Sequence, residues 1–232
     1  MRKTVLAIHQ PNYMPWLGYF HKISRSDIFI FLDNVQYSKN SYINRSRVLS
    51  PQGEKWLTLP VSYNFGDTIN FVKPAKISWN KSHISSLQNY YGKANAFKEV
   101  WPEVKALYEN NIQNSLSEIN IHFVQAIMKL MDLKTQTFRS SSLRTLSSEP
   151  NLRLIEIINS YTNNAIYLSG KGGKNYQSEE LFRQNNIGLT YSNFYPRPYP
   201  QGKECFYPGL SILDAFFHLG IEQTRSFVIG EN

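Results

Sequence analysis

The sequence predicts an α/β fold built on a doubly wound, mostly parallel five-stranded sheet, with an inserted β-hairpin and helical region. Short, almost wholly apolar runs at residues 4–8 and 27–32 have the composition of strands buried on both faces of a parallel sheet. From residue 135 onward such runs alternate with segments of helical periodicity, the rhythm of successive βα units. The length of 232 residues suits one α/β domain over 1–232, with 42–133 as the inserted subregion.

Residues 4–8 (TVLAI) form the first expected strand, and Pro11 and Pro15 forbid its regular continuation. Leu17, Phe20 and Ile23 then recur at helical spacing, with Gly18 in the first turn, where backbone can approach a ligand closely. Residues 27–32 give the second strand. The segment 42–72 alternates and carries turn signals at Pro51-Gln52-Gly53 and Phe65-Gly66-Asp67, so it reads as short antiparallel strands. Helices are expected at 80–91, 97–109 and 115–133; in the last, Ile119, Phe123, Ile127, Leu130 and Met131 mark one face and leave His122 at its boundary. The remainder reads as strand 135–139, helix 151–161, strand 165–169, helix 177–185, strand 188–192 and a final helix 211–219. In that last helix Leu210, Leu213, Phe216 and Phe217 make a core stripe, and Asp214 is expected to face outward or pair locally. Five parallel strands would gather the segments 9–12, 33–36, 140–142, 169–174 and 193–197 at one edge. In a Rossmann-like sheet that edge is the ligand crevice.

The densest chemistry lies in IHQPNYMPWLGYFHKI (8–23). His9, Gln10 and Asn12 sit at the strand's carboxyl end, and Trp16, Tyr19, His21 and Lys22 lie on or beside the new helix. Strand, tight loop and helix N-terminus together make an anion-binding geometry. Any one of these residues alone reads more simply as a side chain packed under a loop; seven around one turn favour a site. His9 is the general-base candidate, because imidazole titrates near neutrality. His21 is balanced between a catalytic role and a helix-boundary position. Asp33 ends an apolar strand, where a lone carboxylate is costly, so it either orients a histidine, accepts from an amine or holds Mg2+, or else forms an Asx turn with Asn34. Gln36 joins it at that strand end.

Asn44 and Arg45 follow, and an arginine fork suits phosphate or carboxylate bidentately, whereas Arg47 fits a solvated strand edge. SGKGGKNY (169–176) lacks both the P-loop and the dinucleotide fingerprint. Gly170, Gly172 and Gly173 nevertheless free backbone N–H groups, Lys171 and Lys174 add charge, and Tyr176 closes the segment, so a phosphate nest competes with a plain surface turn. No metal-ligand spacing is present, and His83, His122 and His218 are scattered.

A net charge of +8 points to an anionic partner, yet the basic residues form no run and no nucleic-acid-reading motif. Cys205 is the only cysteine, which excludes an internal disulfide and suits a reducing cytoplasm. The apolar run after Arg2 and Lys3 is too short for a signal peptide, and no stretch is apolar enough to span a membrane.

The segment 8–23, with SDIFIFLDNVQYSKNSYINRSRV (26–48), YLSGKGGKNY (167–176) and LSILDAFFHLG (210–220), resembles the WbqC-like family of bacterial proteins from end to end. That family is associated with O-antigen and other surface-polysaccharide gene clusters. The resemblance implies amino-acyl, glycyl-type transfer or ligation onto the amine of a nucleotide-linked amino sugar, with glycine or another small acyl donor, free or as aminoacyl-tRNA. The alternative it allows is a non-catalytic nucleotide-sugar or glycan binding protein of the same pathway. A second, weaker resemblance concerns QP, a spacer, WLGY, a helix and an apolar strand, an order similar to the start of the nucleotidylyltransferase superfamily. It implies ATP and Mg2+, but Trp16 and Tyr19 would occupy the two histidine positions of that superfamily's HxGH motif, with only Gly18 retained and His9 and His21 as the nearest substitutes.

Overall fold

The computed structural model describes residues 2–110, 114–144 and 146–230. The chain opens with β1 (Thr4–His9), turns through the two prolines into α1 (Leu17–Ser24) and returns as β2 (Ile28–Phe31). The insertion follows: a hairpin of β3 (Arg45–Ser50) and β4 (Gly53–Thr58), a ribbon of β5 (Val61–Ser62) and β6 (Lys73–Pro74), then α2 (Trp79–Tyr91), α3 (Phe97–Glu109) and α4 (Leu116–Leu130). The sheet resumes with β7 (Gln136–Arg139), α5 (Pro150–Asn159), β8 (Ala165–Ser169), α6 (Glu179–Gln184) and β9 (Gly188–Tyr191), and α7 (Ile212–Leu219) and α8 (Ile221–Ile229) complete it.

The five strands pair in the order β7-β2-β1-β8-β9, and every neighbouring pair is parallel. The expected Rossmann-like α/β sheet is therefore present, wholly parallel, with the antiparallel β3–β4 hairpin outside it. Strand alternation divides its side chains between two layers. Ala7, Phe29, Phe31 and Leu168 pack with α1, α4 and α7, while Leu6, Ile8, Ile30 and Tyr167 pack against Leu154, Ile155 and Ile158 of α5 and Phe182 of α6. Burial on both faces is why these strands lack a polar alternation. The insertion adds to the first layer: Leu49, Leu59, Leu87, Val104 and Phe123 share its apolar cluster with Phe20 of α1 and Phe216 of α7.

The topology places a switch point beside the first strand. The chain winds outward from β1 through β2 to β7, then crosses back to β8 and β9 on the other side of β1. The connection leaving β1 runs to α1 in one layer, and that leaving β8 runs to α6 in the other. A crevice opens between two such diverging connections.

Two expectations change. An additional helix, α8, follows α7 after Gly220, whose φ of +83° breaks the helical path. Asp214 is fully buried, not outward-facing: it accepts hydrogen bonds from Tyr199 (2.7 Å), Gln201 (2.9 Å) and Tyr91 (3.0 Å), and burial raises its pKa above the usual carboxylate range. The glycine-rich segment is a 3-10 turn over Lys171–Asn175 in which the Gly173 N–H donates to Gly170 O. Among the described residues no helix is long and apolar enough to cross a membrane.

Candidate functional site

The carboxyl ends of β1 and β8 frame a cavity of about 420 Å3 at the switch point. Ile8, His9 and Gln10 come from β1 and its exit; Tyr167 and Ser169 come from β8, with Gly170, Gly172, Gly173 and Tyr176 from the turn beyond. Ser148, Pro150 and Arg153 close it from the start of α5, and Lys22 reaches it from α1.

Lys22 lies on the inward face of its helix, where a sheet-facing residue would ordinarily be apolar. Its side chain is 3% exposed, its Nζ donates to Ile8 O at 3.0 Å, and no ion pair among the described residues includes it. Burial without a carboxylate disfavours the ammonium form and lowers its pKa to about 7. Near neutrality Lys22 is thus divided between amine and ammonium.

His9 is fixed by its neighbours. Its Nδ1 lies 3.0 Å from Gln10 O, and because a carbonyl only accepts, Nδ1 carries the proton and Nε2 keeps its lone pair. Tyr19 packs edge-on to the imidazole, centroids 4.9 Å apart, and donates its hydroxyl to the same Gln10 carbonyl at 3.0 Å. Burial, reinforced by the charge of Lys22, pushes the His9 pKa down to about 3. His9 is therefore a neutral imidazole at physiological pH. As a proton acceptor it is weak; as a hydrogen-bond acceptor of fixed orientation it is well placed.

Of the other residues singled out from the sequence, Gln10, Lys22, Gly170, Gly172 and Tyr176 line this cavity with His9. Trp16, Gly18, Tyr19 and Lys171 border a smaller recess on the α1 side of His9. Asn12 is half-buried in the loop between β1 and α1, outside the lining of both.

Asp33, His21, Gln36, Asn44 and Arg45 do not come to the cavity. Asp33 is 1% exposed and is occupied in joining β2 to the turn after β7: it accepts from Ser141 Oγ (2.7 Å), Ser141 N (2.9 Å) and Ser140 Oγ (3.1 Å). His21 donates Nδ1 to Val228 O at 2.7 Å and packs on Phe194, tying α1 to α8. Gln36 is exposed and bridges to Thr68. Asn44 donates to Leu59 O at 3.0 Å. Arg45 is opposite Thr58 in the hairpin register, which sets Trp56 diagonally across from it; its guanidinium stacks 4.0 Å from that indole and donates to Asn40 O. His9 and Lys171 therefore share neither the cavity nor its neighbouring recess with Asp33 and Arg45.

Arg153 and Tyr167 join the lining without having been singled out from the sequence. Arg153 stands in the first turns of α5, its Nε held by Ser147 O at 2.8 Å. The same carboxyl-end rule that selected His9 extends to the helix starting behind β7, and applying it there would have found Arg153. With Lys22 it makes the site cationic, since none of the described lining residues is Asp or Glu.

That donor set does not fit Mg2+: the lining lacks a carboxylate, Asp33 is committed elsewhere, and no group of three His, Cys, Asp or Glu among the described residues could hold a metal ion. At the position of the HxGH motif, Gly18 is covered by the Trp16 ring, so the loop does not offer the open glycine that a nucleotide phosphate would need there.

A family model described as the WbqC-like protein family matches residues 10–226. The chain is similar to the uncharacterized protein Rv1507c of Mycobacterium tuberculosis, 31% identical over 220 residues that cover 94% of each chain. No solved structure matches it.

Proposed function

Since this chain belongs to the WbqC-like protein family, we propose that it acylates the amine of a nucleotide-linked amino sugar with a glycyl-type or similarly small acyl group during surface-glycan synthesis, in the cytoplasm. The observation that supports this reading is the cationic cavity at the switch point between β1 and β8, where Lys22 and Arg153 face an apolar wall of Ile8, Leu154 and Tyr167. Positive charge suits the phosphates of the nucleotide, and the ring-bearing wall suits its base or sugar.

Amide formation joins the amine nitrogen to the acyl carbon, breaks the bond from that carbon to its leaving oxygen and releases a proton from nitrogen. A free carboxylate does not acylate an amine unaided, so the acyl group is activated with ATP as a substrate or delivered as aminoacyl-tRNA. The amine form of Lys22 takes the released proton, since a base with a pKa near the working pH is the effective one. His9 Nε2 accepts a hydrogen bond from the attacking amine and holds it in line.

Incubation of the chain with a nucleotide-linked amino sugar and either ATP plus glycine or glycyl-tRNA, followed by mass spectrometry, tests this. A sugar heavier by one acyl residue is expected. Saturable binding of the nucleotide sugar with no mass gain from any donor would replace the reading with that of a binding protein of the same pathway.

A further inference from the structure

The recess on the α1 side of His9 has a volume of about 130 Å3 and shares His9, Lys22 and Gly170 with the larger cavity, so the two chambers meet at those residues. Their other walls differ. The recess is lined by Trp16, Tyr19 and Phe194, the indole standing edge-on to Phe194 with centroids 5.7 Å apart. The position of that indole is set by a missing side chain: a Cβ on Gly18 would sit 2.3 Å from the Trp16 ring. The standing cation is Lys171, held 3.4 Å from the Tyr195 ring centroid, and Lys22, anchored to Ile8 O, adds a hydrogen-bond donor that is charged in its ammonium form. None of the described residues lining the recess is Asp or Glu.

We propose that this recess is a separate subsite for a small monocarboxylate, its carboxylate drawn to Lys22 and Lys171 and its carbon end against Trp16 and Phe194. Size favours small ligands: at about 130 Å3 the recess has less than a third of the larger cavity's 420 Å3. Charge and wall type select among small anions. Aromatic walls replace water poorly, so a singly charged carboxylate enters at less cost than a phosphate dianion. The same walls offer no carboxylate to receive an ammonium group, which ranks acetate and glycolate above glycine. The subsite deepens the acylation reading and rests on it for one point only, that the bound acid is the acyl partner; it then enters as the free acid rather than on tRNA, beside the chamber that takes the phosphorylated partner.

Saturation-transfer NMR titrations of the full chain with acetate, glycolate and glycine, with inorganic phosphate added as a competitor against acetate, and separately with uridine diphosphate as a probe of the larger cavity, test the subsite. Acetate and glycolate are expected to bind more tightly than glycine or phosphate. Ser192→Leu fills the recess from its rim and Lys171→Ala removes a cation on an exposed turn; each is expected to weaken acetate by about tenfold or more, the scale of one charged hydrogen bond, and to leave uridine diphosphate within about twofold. Tighter phosphate or glycine than acetate, acetate affinity unchanged in both variants, or no acetate binding overturns the subsite. If acetate behaves as expected while no sugar is ever acylated, the acylation reading fails and the subsite stands.

Discussion

Replacing Lys22 by methionine should stabilise the fold. The folded-state pKa of about 7 lies below the ordinary lysine value of 10.5. At about 1.4 kcal/mol per unit, the ammonium is disfavoured by roughly 4 to 5 kcal/mol relative to the unfolded chain. Methionine fills similar space without charge, loses the bond to Ile8 O for about 1 kcal/mol, and gains less than the full penalty because the amine borders a cavity, leaving a net gain of about 2 to 4 kcal/mol. The sign follows from proton counting. The folded state binds fewer protons than the unfolded state between the two pKa values, so wild-type stability rises with pH across that window. The advantage of Lys22→Met is thus full below about pH 7 and fades toward about pH 10.5. Urea unfolding at about pH 6, 7.5 and 9.5 measures it, and a variant less stable at the lowest pH, or a difference that does not vary with pH, would refute the burial argument.

His9, with a pKa of about 3, should show nitrogen chemical shifts of a neutral Nδ1–H tautomer that do not titrate between about pH 5 and 8; a midpoint near 6.5 would contradict its burial. The unfolded chain takes up that proton first on acidification, so His9 also contributes a loss of stability as pH falls from 6.5 toward about 3, visible as a shallower acid limb in His9→Asn. Asp33→Asn should cost about 1 to 3 kcal/mol in urea unfolding and leave uridine diphosphate affinity unchanged, whereas intact stability with lost turnover would return Asp33 to the chemistry. Arg153→Ala should weaken uridine diphosphate by about tenfold or more in calorimetric titration, and Arg45→Ala by less than about twofold, the reverse order being fatal to the placement of the anion site.

The central strands β1, β2 and β8 were readable because a parallel strand buried on both faces is apolar throughout, and that property is local to each run. From it followed the common edge that gathers His9, Gln10 and Gly170. What escaped depends on partners remote in sequence. Asp33 was weighed for a site role because the serines that occupy it lie over 100 residues away. Asp214 looked solvated because a carboxylate on an amphipathic helix ordinarily is; three donors from α2 and the segment before α7 change that. Arg45 was assigned by motif membership, while the hairpin register that stacks it on Trp56 requires knowing where β4 begins. Helix α8 was missed at Gly220, a residue that reads as a terminator and here separates two helices.

The central position of β1 has a consequence for how the molecule is made. Its partner β2 is synthesised some 20 residues later, but β8, which covers its other edge, emerges about 160 residues after it. At about 5 to 20 residues per second, that edge waits roughly 10 to 30 s on the ribosome, an apolar strand with one row of unpaired N–H and C=O groups. The long loop closure makes the step slow in refolding as well. Because the switch-point cavity has one wall on β1 and the other on β8, ligand binding is gained only when β8 docks. Binding of uridine diphosphate during refolding would report that docking directly, and chains truncated before β8 would carry an open edge prone to self-association.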